Sequence, residues 1–283
     1  MNERVGLVAL LAGGMVLIAA CAQSGNAQPE GAAQRRATTP GAAQGTGQGA
    51  TPAQPGTSPG GSVSPVPTQV PTQPTAETRR RLKPGARNAD VRALQQRLEE
   101  LHYDPGKIDG RYGPTTQMAV WAFEKVNHIK PRGTVGRRVW RALEAPRKPK
   151  PVAKKHEDDR VDIDLEHQFL VVYKDGAPAL ISHISSGGGY YYCAKDPGSD
   201  KPRCRYAVTS TGDFRTGRRV DGWDDGPLGH LYNPVYFNGG IAVHGYPSVP
   251  LGPASHGCVR IPMHTADLFP KLVGTNVPVH VRR

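Results

Sequence analysis

From Ala22 to Thr78 the chain runs for 57 residues without one Leu, Ile, Met or aromatic side chain, and it holds only three valines against nine prolines. Such a segment has almost no apolar surface to withdraw from water, so it cannot offset the entropy lost on ordering and is expected to stay disordered. Folding is thereby confined to residues 79–283. Treated as a flexible coil, the segment would act as a tether with a root-mean-square reach of ~40 Å. The 283 residues exceed the ~150 typical of one domain, which leaves room for two folded units beside the tether. The 34 glycines and 27 prolines follow no Gly-X-Y period, so collagen is excluded.

Upstream of the tether, residues 5–20 form an uncharged apolar run after Arg4. It suits the hydrophobic region of a signal peptide and falls short of the ~20 residues that span a bilayer. The run ends in Ile18-Ala19-Ala20-Cys21, which resembles a bacterial lipobox. The resemblance implies a signal peptide over 1–20, a lipidated Cys21, and a lipid-anchored tether over 21–78. An ordinary signal peptide or a short anchor with a chance cysteine are the plainer readings. All three place the remaining chain outside the cytoplasm, on an oxidising side where each of the four cysteines needs an explanation. Cys193 and Cys204 bracket a Gly/Pro/Asp-rich loop and lack CxxC spacing, so a disulfide is expected. Cys258 is then the odd thiol, either a liability or a nucleophile.

Order is expected from Arg79. Val91, Leu94, Leu98 and Leu101 recur at helical spacing behind Asn88 as N-cap and Asp90 in the first turn. Second and third helical patterns follow Gly113-Pro114 and Gly136. Residues Gly85, Asp90-Val91, Leu94-Gln95, Leu98, Tyr103, Asp109-Gly110, Tyr112-Gly113, Thr116, Ala119-Val120, Phe123, Val139-Trp140 and Leu143 together resemble the three-helix peptidoglycan-binding module of wall-active enzymes. The module is expected over 79–145. Glu124 stands where that family has Gln, and Arg132-Gly133 replaces its Asp-Gly turn, two departures that bear on ligand affinity. Residues 79–155 carry twenty Lys and Arg against seven Asp and Glu, net +13, so the positive charge of the chain belongs to the module and the basic linker 146–160. Anionic wall polymer or membrane phosphate are the partners this charge suits, beside a plain role in solubility; nucleic acid is excluded by export.

Past the linker the texture changes to short β-like runs, VDIDL, QFLVVYK, ALISHISS, RYAVTST, GGIAVHG and VPVHVR, separated by Gly, Pro and Asp. They predict a sandwich or barrel over 161–283 with one helix from Pro262 to Leu272. Within it lie His244-Gly245 and Ser255-His256-Gly257-Cys258-Val259-Arg260. A thiol attacks as thiolate and needs an imidazole beside it, which His244 or His256 can supply, and Gly257 permits a sharp turn that exposes the sulfur and frees amides for an oxyanion.

These residues, with Tyr236-Phe237-Asn238-Gly239-Gly240-Ile241 before them, resemble the L,D-transpeptidase signature. The resemblance implies a mainly-β, sandwich-like catalytic domain behind a small all-α module. It implies Cys258 as nucleophile, His244 as general base oriented by the Gly245 carbonyl, and His256 with the Gly257 turn shaping the oxyanion pocket. Arg260, Ser255 and Tyr236 would contact substrate. Peptidoglycan stem peptides and glycan are the implied partners, carbapenem-type β-lactams the implied inhibitors, and no metal or other cofactor is needed. Thr209-Ser210-Thr211-Gly212 departs from the family's Thr-Pro before the glycine. Zinc held by His244, His256, Cys258 and His264 is a second reading, and a non-catalytic wall-tethering lipoprotein a third.

Overall fold

The chain is described by a computed structural model over residues 75–196 and 198–283. The expected signal peptide, Cys21 and the tether through residue 74 lie outside the described residues. Packing extends upstream of Arg79, where the sequence placed the start of order: Ala76 is buried, and its amide donates to Glu144 Oε1 at 2.8 Å.

Three helices come first, α1 (Ala89–Glu100), α2 (Pro114–Val126) and α3 (Arg137–Glu144). Asn88 caps α1 as its residue type predicts, its Oδ1 accepting from the Val91 amide at 3.0 Å. α2 opens on Pro114, whose missing N–H would be unpaired there in any case. Glu124 explains both departures from the module pattern at once: its buried Oε2 accepts from the amides of Arg132 and Gly133 at 2.9 and 3.0 Å, so the substituted carboxylate holds the substituted turn.

The strands follow as β1 (Arg160–Asp164), β2 (Phe169–Lys174), β3 (Ala177–His183), β4 (Tyr191–Lys195), β5 (Pro202–Tyr206), β6 (Gly212–Arg215), β7 (Trp223–Gly226), β8 (Gly229–Asn238), β9 (Ile241–Gly245) and β10 (Val259–Ile261). After them come the short helices α4 (Met263–Ala266) and α5 (Phe269–Leu272), then β11 (Pro278–Arg282). One sheet has the order β3-β2-β1-β11-β6, a second β10-β9-β8-β7, and β4-β5 stand apart as a hairpin. The two larger sheets enclose Val161, Ile163, Leu170, Val172, Val235, Val243, Val259, Ile261, Val279 and Val281.

β2 reads as an unbroken apolar run because both its faces are covered. Leu170 and Val172 enter the sandwich core, while Phe169, Val171 and Tyr173 join Val91, Leu98, Tyr103, Phe123 and Trp140 in a second core beneath the helices. Each such large side chain contributes about 1.5–3 kcal/mol when fully buried. The helices are thus packed on the sheet as a third layer, and the described residues fall within one compact unit. Ile181 N donates to His102 O at 2.8 Å across this seam. The basic segment 146–160 is strapped to the same surface: Arg147 N donates to Asn127 Oδ1, and Val152 N to Asp162 Oδ2. Asp162 also pairs in the interior with Arg160, whose guanidinium lies 3.6 Å from the Tyr173 ring centre.

Two expectations are corrected. The single helix Pro262–Leu272 is two, because Pro270 has no N–H for the Ala266 carbonyl; Asn233 Nδ2 donates to that oxygen instead at 3.2 Å. The run RYAVTST is strand only through Tyr206, and residues 207–211 are irregular. Among the described residues, no helix is long and apolar enough to cross a membrane.

Candidate active site

β9 and β10 are parallel neighbours with Val243 opposite Val259, His244 opposite Arg260, and Gly245 opposite Ile261. Strand alternation sends Val243, Val259 and Ile261 into the core and leaves His244 and Arg260 on the opposite face. That face opens on a cleft of about 690 Å³ whose lining includes Tyr236, His244, Ser255, His256, Gly257, Cys258 and Arg260. The sequence-predicted residues therefore converge, with Gly245 just beneath. A Cβ on Gly245 would lie 2.7 Å from that of Ala266, so only glycine lets α4 pack here.

His244 is buried, and its Nδ1 lies 3.0 Å from the Gly245 carbonyl. A carbonyl can only accept, so Nδ1 carries the proton and Nε2 is left as a base. Burial holds the imidazolium down to a pKa of about 4, with the Arg260 charge adding to the effect and the Gly245 bond opposing it. Cys258 is a free, half-buried thiol with Sγ 3.7 Å from the Gly240 carbonyl. Burial pushes its pKa up, opposed by a hydrogen bond from the Ala242 amide and by Arg260. Both shifts favour the neutral forms, thiol and imidazole.

The turn before the thiol is built by Ser255 and Thr209. Ser255 Oγ donates to the Cys258 carbonyl at 2.5 Å and accepts from Gly257 N at 3.0 Å, so its hydroxyl is spent inside the turn and the Gly257 amide is occupied. Gly257 has φ +145°, and a Cβ there would meet the Val208 carbonyl at 3.1 Å. Thr209 Oγ1 donates to the Gly257 carbonyl at 2.6 Å and accepts from Gly187 N at 2.9 Å, so the wall is braced without the family's proline.

His256 sits edge-on to Tyr190 and Tyr192, ring centres 5.4 and 4.7 Å away. Tyr192 belongs to the free-standing β4–β5 hairpin, which is closed by the Cys193–Cys204 disulfide. Arg260 stacks over Tyr246 at 4.1 Å. Tyr236 donates to Asp224 Oδ2 at 2.6 Å under the Arg218 guanidinium, and burial first, then this carboxylate, push its pKa up to about 12.

The zinc reading loses a ligand: His264 Nε2 faces Asp104 of the helical layer at 3.3 Å and does not line this cleft. Among the described residues, no three His, Cys, Asp or Glu are grouped to hold a metal. Sequence reasoning missed Tyr190, Tyr192, Arg218 and Asp224 around the cleft; the run Tyr190-Tyr191-Tyr192 was the available signal.

A free thiol, a tautomer-locked imidazole and an arginine are gathered at one parallel strand pair of a β-sandwich, with a three-helix layer packed behind it. A family model described as the L,D-transpeptidase catalytic domain matches residues 158–281, and one for a peptidoglycan binding domain matches 87–143. The crystal structure of the L,D-transpeptidase from Xylanimonas cellulosilytica DSM 15894 is 36% identical, covers 75% of this chain and 100% of its own, and has a TM-score of 0.65. The chain belongs to the L,D-transpeptidase family. An L,D-transpeptidase from Stackebrandtia nassauensis is 22% identical over 75% of this chain and 97% of that one, with a TM-score of 0.40. The carboxy-terminal processing protease CtpB of Bacillus subtilis (strain 168) is 31% identical over 85 residues, 30% of this chain and 17% of the protease, so the chain spans about a sixth of that relative.

Proposed function

We propose that this L,D-transpeptidase forms peptidoglycan cross-links by acyl transfer through a thioester on Cys258. The observation that carries the reading is the His244 Nδ1 bond to the Gly245 carbonyl, which commits Nε2 to basicity on the strand beside the thiol. His244 Nε2 takes the thiol proton as Sγ attacks the carbonyl of the third residue of a donor stem tetrapeptide. Amides of the turn at Cys258, with His256, hold the tetrahedral oxyanion. The oxyanion collapses, the C–N bond breaks, and the terminal D-alanine leaves with the proton from the imidazolium. An acceptor amine then attacks the thioester, gives up a proton and restores the thiol. Arg260 binds a substrate carboxylate, and Tyr236 lines the approach; Ser255 acts through the turn rather than by touching substrate.

The acceptor is a diamino-acid side-chain amine of a neighbouring stem, giving a 3→3 link. Water or a free D-amino acid would use the same nucleophile and give hydrolysed or exchanged product. Carbapenem-type β-lactams acylate the same sulfur. The module binds glycan and stem, with its positive surface adding attraction to anionic wall or membrane. Lipid on Cys21 after removal of residues 1–20 anchors the chain outside the cytoplasm by its 21–78 tether.

Incubation with disaccharide-tetrapeptide, followed by mass spectrometry, tests the reaction: dimer is expected, and an active Cys258→Ala variant would overturn it. Mass spectrometry of the mature N-terminus tests the anchor, an unmodified Ala22 terminus being the contrary result.

A further inference from the structure

On the helical layer, away from the thiol, a cleft of about 540 Å³ is lined by Arg79, Arg81, Lys130, Arg132, Arg137 and Arg138, facing only two carboxylates, Glu77 and Glu124. Both carboxylates are already committed. Glu77 accepts from Arg141 at 2.6 Å, and Glu124 holds the amides of Arg132 and Gly133. Arg79 stacks over Trp140 at 4.7 Å, while Arg81, Lys130, Arg132, Arg137 and Arg138 are exposed around the cleft. Their like charges repel across the cleft, and the charges of Glu77 beside Arg137 and of Glu124 beside Arg132 offset only part of that repulsion. Arg137 and Arg138 also occupy the first turn of α3, which has no acidic residue and no side-chain cap. Cations there oppose the helix dipole, so the placement costs stability that a bound anion restores.

We propose that this cleft is a binding site for phosphate groups presented in series, as on a phosphodiester polymer or a phospholipid surface. Five of its six basic side chains are arginines, whose planar guanidinium forks pair with phosphate oxygens through two parallel hydrogen bonds. The isolated carboxylates of a stem peptide would neutralise little of this cluster, whereas successive phosphates would. The inference rests on the reading that the module meets an anionic wall or membrane, and it names where.

The test titrates the full-length protein at low and high salt with inorganic polyphosphate and, separately, with vesicles of phosphatidylglycerol in phosphatidylcholine. Two variants lose the same charge: Arg81→Gln/Lys130→Gln/Arg138→Gln in the cleft, and Lys148→Gln/Lys150→Gln/Lys154→Gln in the linker. The cleft variant is expected to bind about tenfold more weakly or worse, with a thermal midpoint no lower than the parent's because the removed charges repelled one another and opposed the α3 dipole, and the linker variant to bind and melt nearly as the parent. Binding to polyphosphate alone assigns a soluble polymer; binding to vesicles assigns lipid headgroups. Equal weakening by both variants, or no binding to either probe at low salt, overturns the site. Sedimentation with purified sacculi runs in parallel: its failure in the parent protein would sink the peptidoglycan reading while leaving the phosphate result intact.

Discussion

Lys125 Nζ on α2 lies 2.6 Å from His183 Nδ1 on β3, and both side chains are buried. Lys125 Nζ donates to the ring and to the Gln168 carbonyl, also at 2.6 Å, while His183 Nε2 donates to the Val249 carbonyl at 3.1 Å. Val249 belongs to the loop that joins His244 to Ser255. Gln168 continues the connection: its side chain binds Ser186, whose carbonyl accepts from the amides of Ala254 and Ser255. The helical layer thus supports the loop that carries the thiol turn.

Stability should fall in mild acid. Burial, then the Lys125 charge, hold His183 down to a pKa of about 3 from 6.5, so the unfolded chain binds a proton that the folded one refuses. The His183 contribution is complete above pH 6.5 and is lost as pH falls toward about 3, while Lys125, held by burial down to about 7 from 10.5, makes stability rise further above pH 7. His244, held down to about 4, acts in the same sense. Thermal midpoints from neutral pH to pH 4 should show a slope that His183→Gln reduces without abolishing; an unchanged slope would refute this account.

Because Cys258 is raised by burial and His244 lowered, the resting thiol should be poorly nucleophilic toward small alkylating agents at neutral pH. Iodoacetamide modification should accelerate only above the ordinary thiol range. Carbapenem acylation, which draws on the positioned base, should persist down to about pH 5 and disappear as His244 protonates near 4. Thiolate reactivity at pH 6 would contradict the neutral pair. His244→Ala should slow acylation by about 10²–10⁴-fold.

Thr209→Val removes the bonds to Gly257 and Gly187 while keeping the shape of the side chain. Unfolding in urea should show a loss of about 1–3 kcal/mol. Turnover should fall more than substrate affinity, because the turn aims the sulfur. Thr209→Ser should restore both measurements, and a fully active valine variant would contradict the brace.

Among the described residues the β4–β5 hairpin pairs with no other strand, so its disulfide and its ring contacts hold it. Replacing Cys193 and Cys204 together by Ser should leave the main unfolding transition in place, since neither core contains hairpin residues. Proteolysis within residues 191–206 should accelerate, and kcat/KM should drop as Tyr192 loosens from His256. Unaltered kinetics would mean that the hairpin does not shape the site.

The three helices and the thiol motif were legible because their information is local. Helical spacing, the Asn88 cap, Gly113-Pro114 and Gly136 mark helix ends within a few residues, and His256, Gly257, Cys258 and Arg260 lie within one short stretch. Strands β4, β6, β7 and β8 were not legible. They are mostly exposed or half-buried, and β8 bends at Asn233-Pro234, so no apolar alternation announces them. The amino-acid sequence by itself determined which residues can form helices and which side chains can do chemistry. Only the tertiary structure decided that β2 is covered on both faces, that Lys125 meets His183, and that Thr209 secures Gly257. Those partners are 58 and 48 positions apart, and the worth of a polar contact depends on burial, which arises only when distant segments exclude water together.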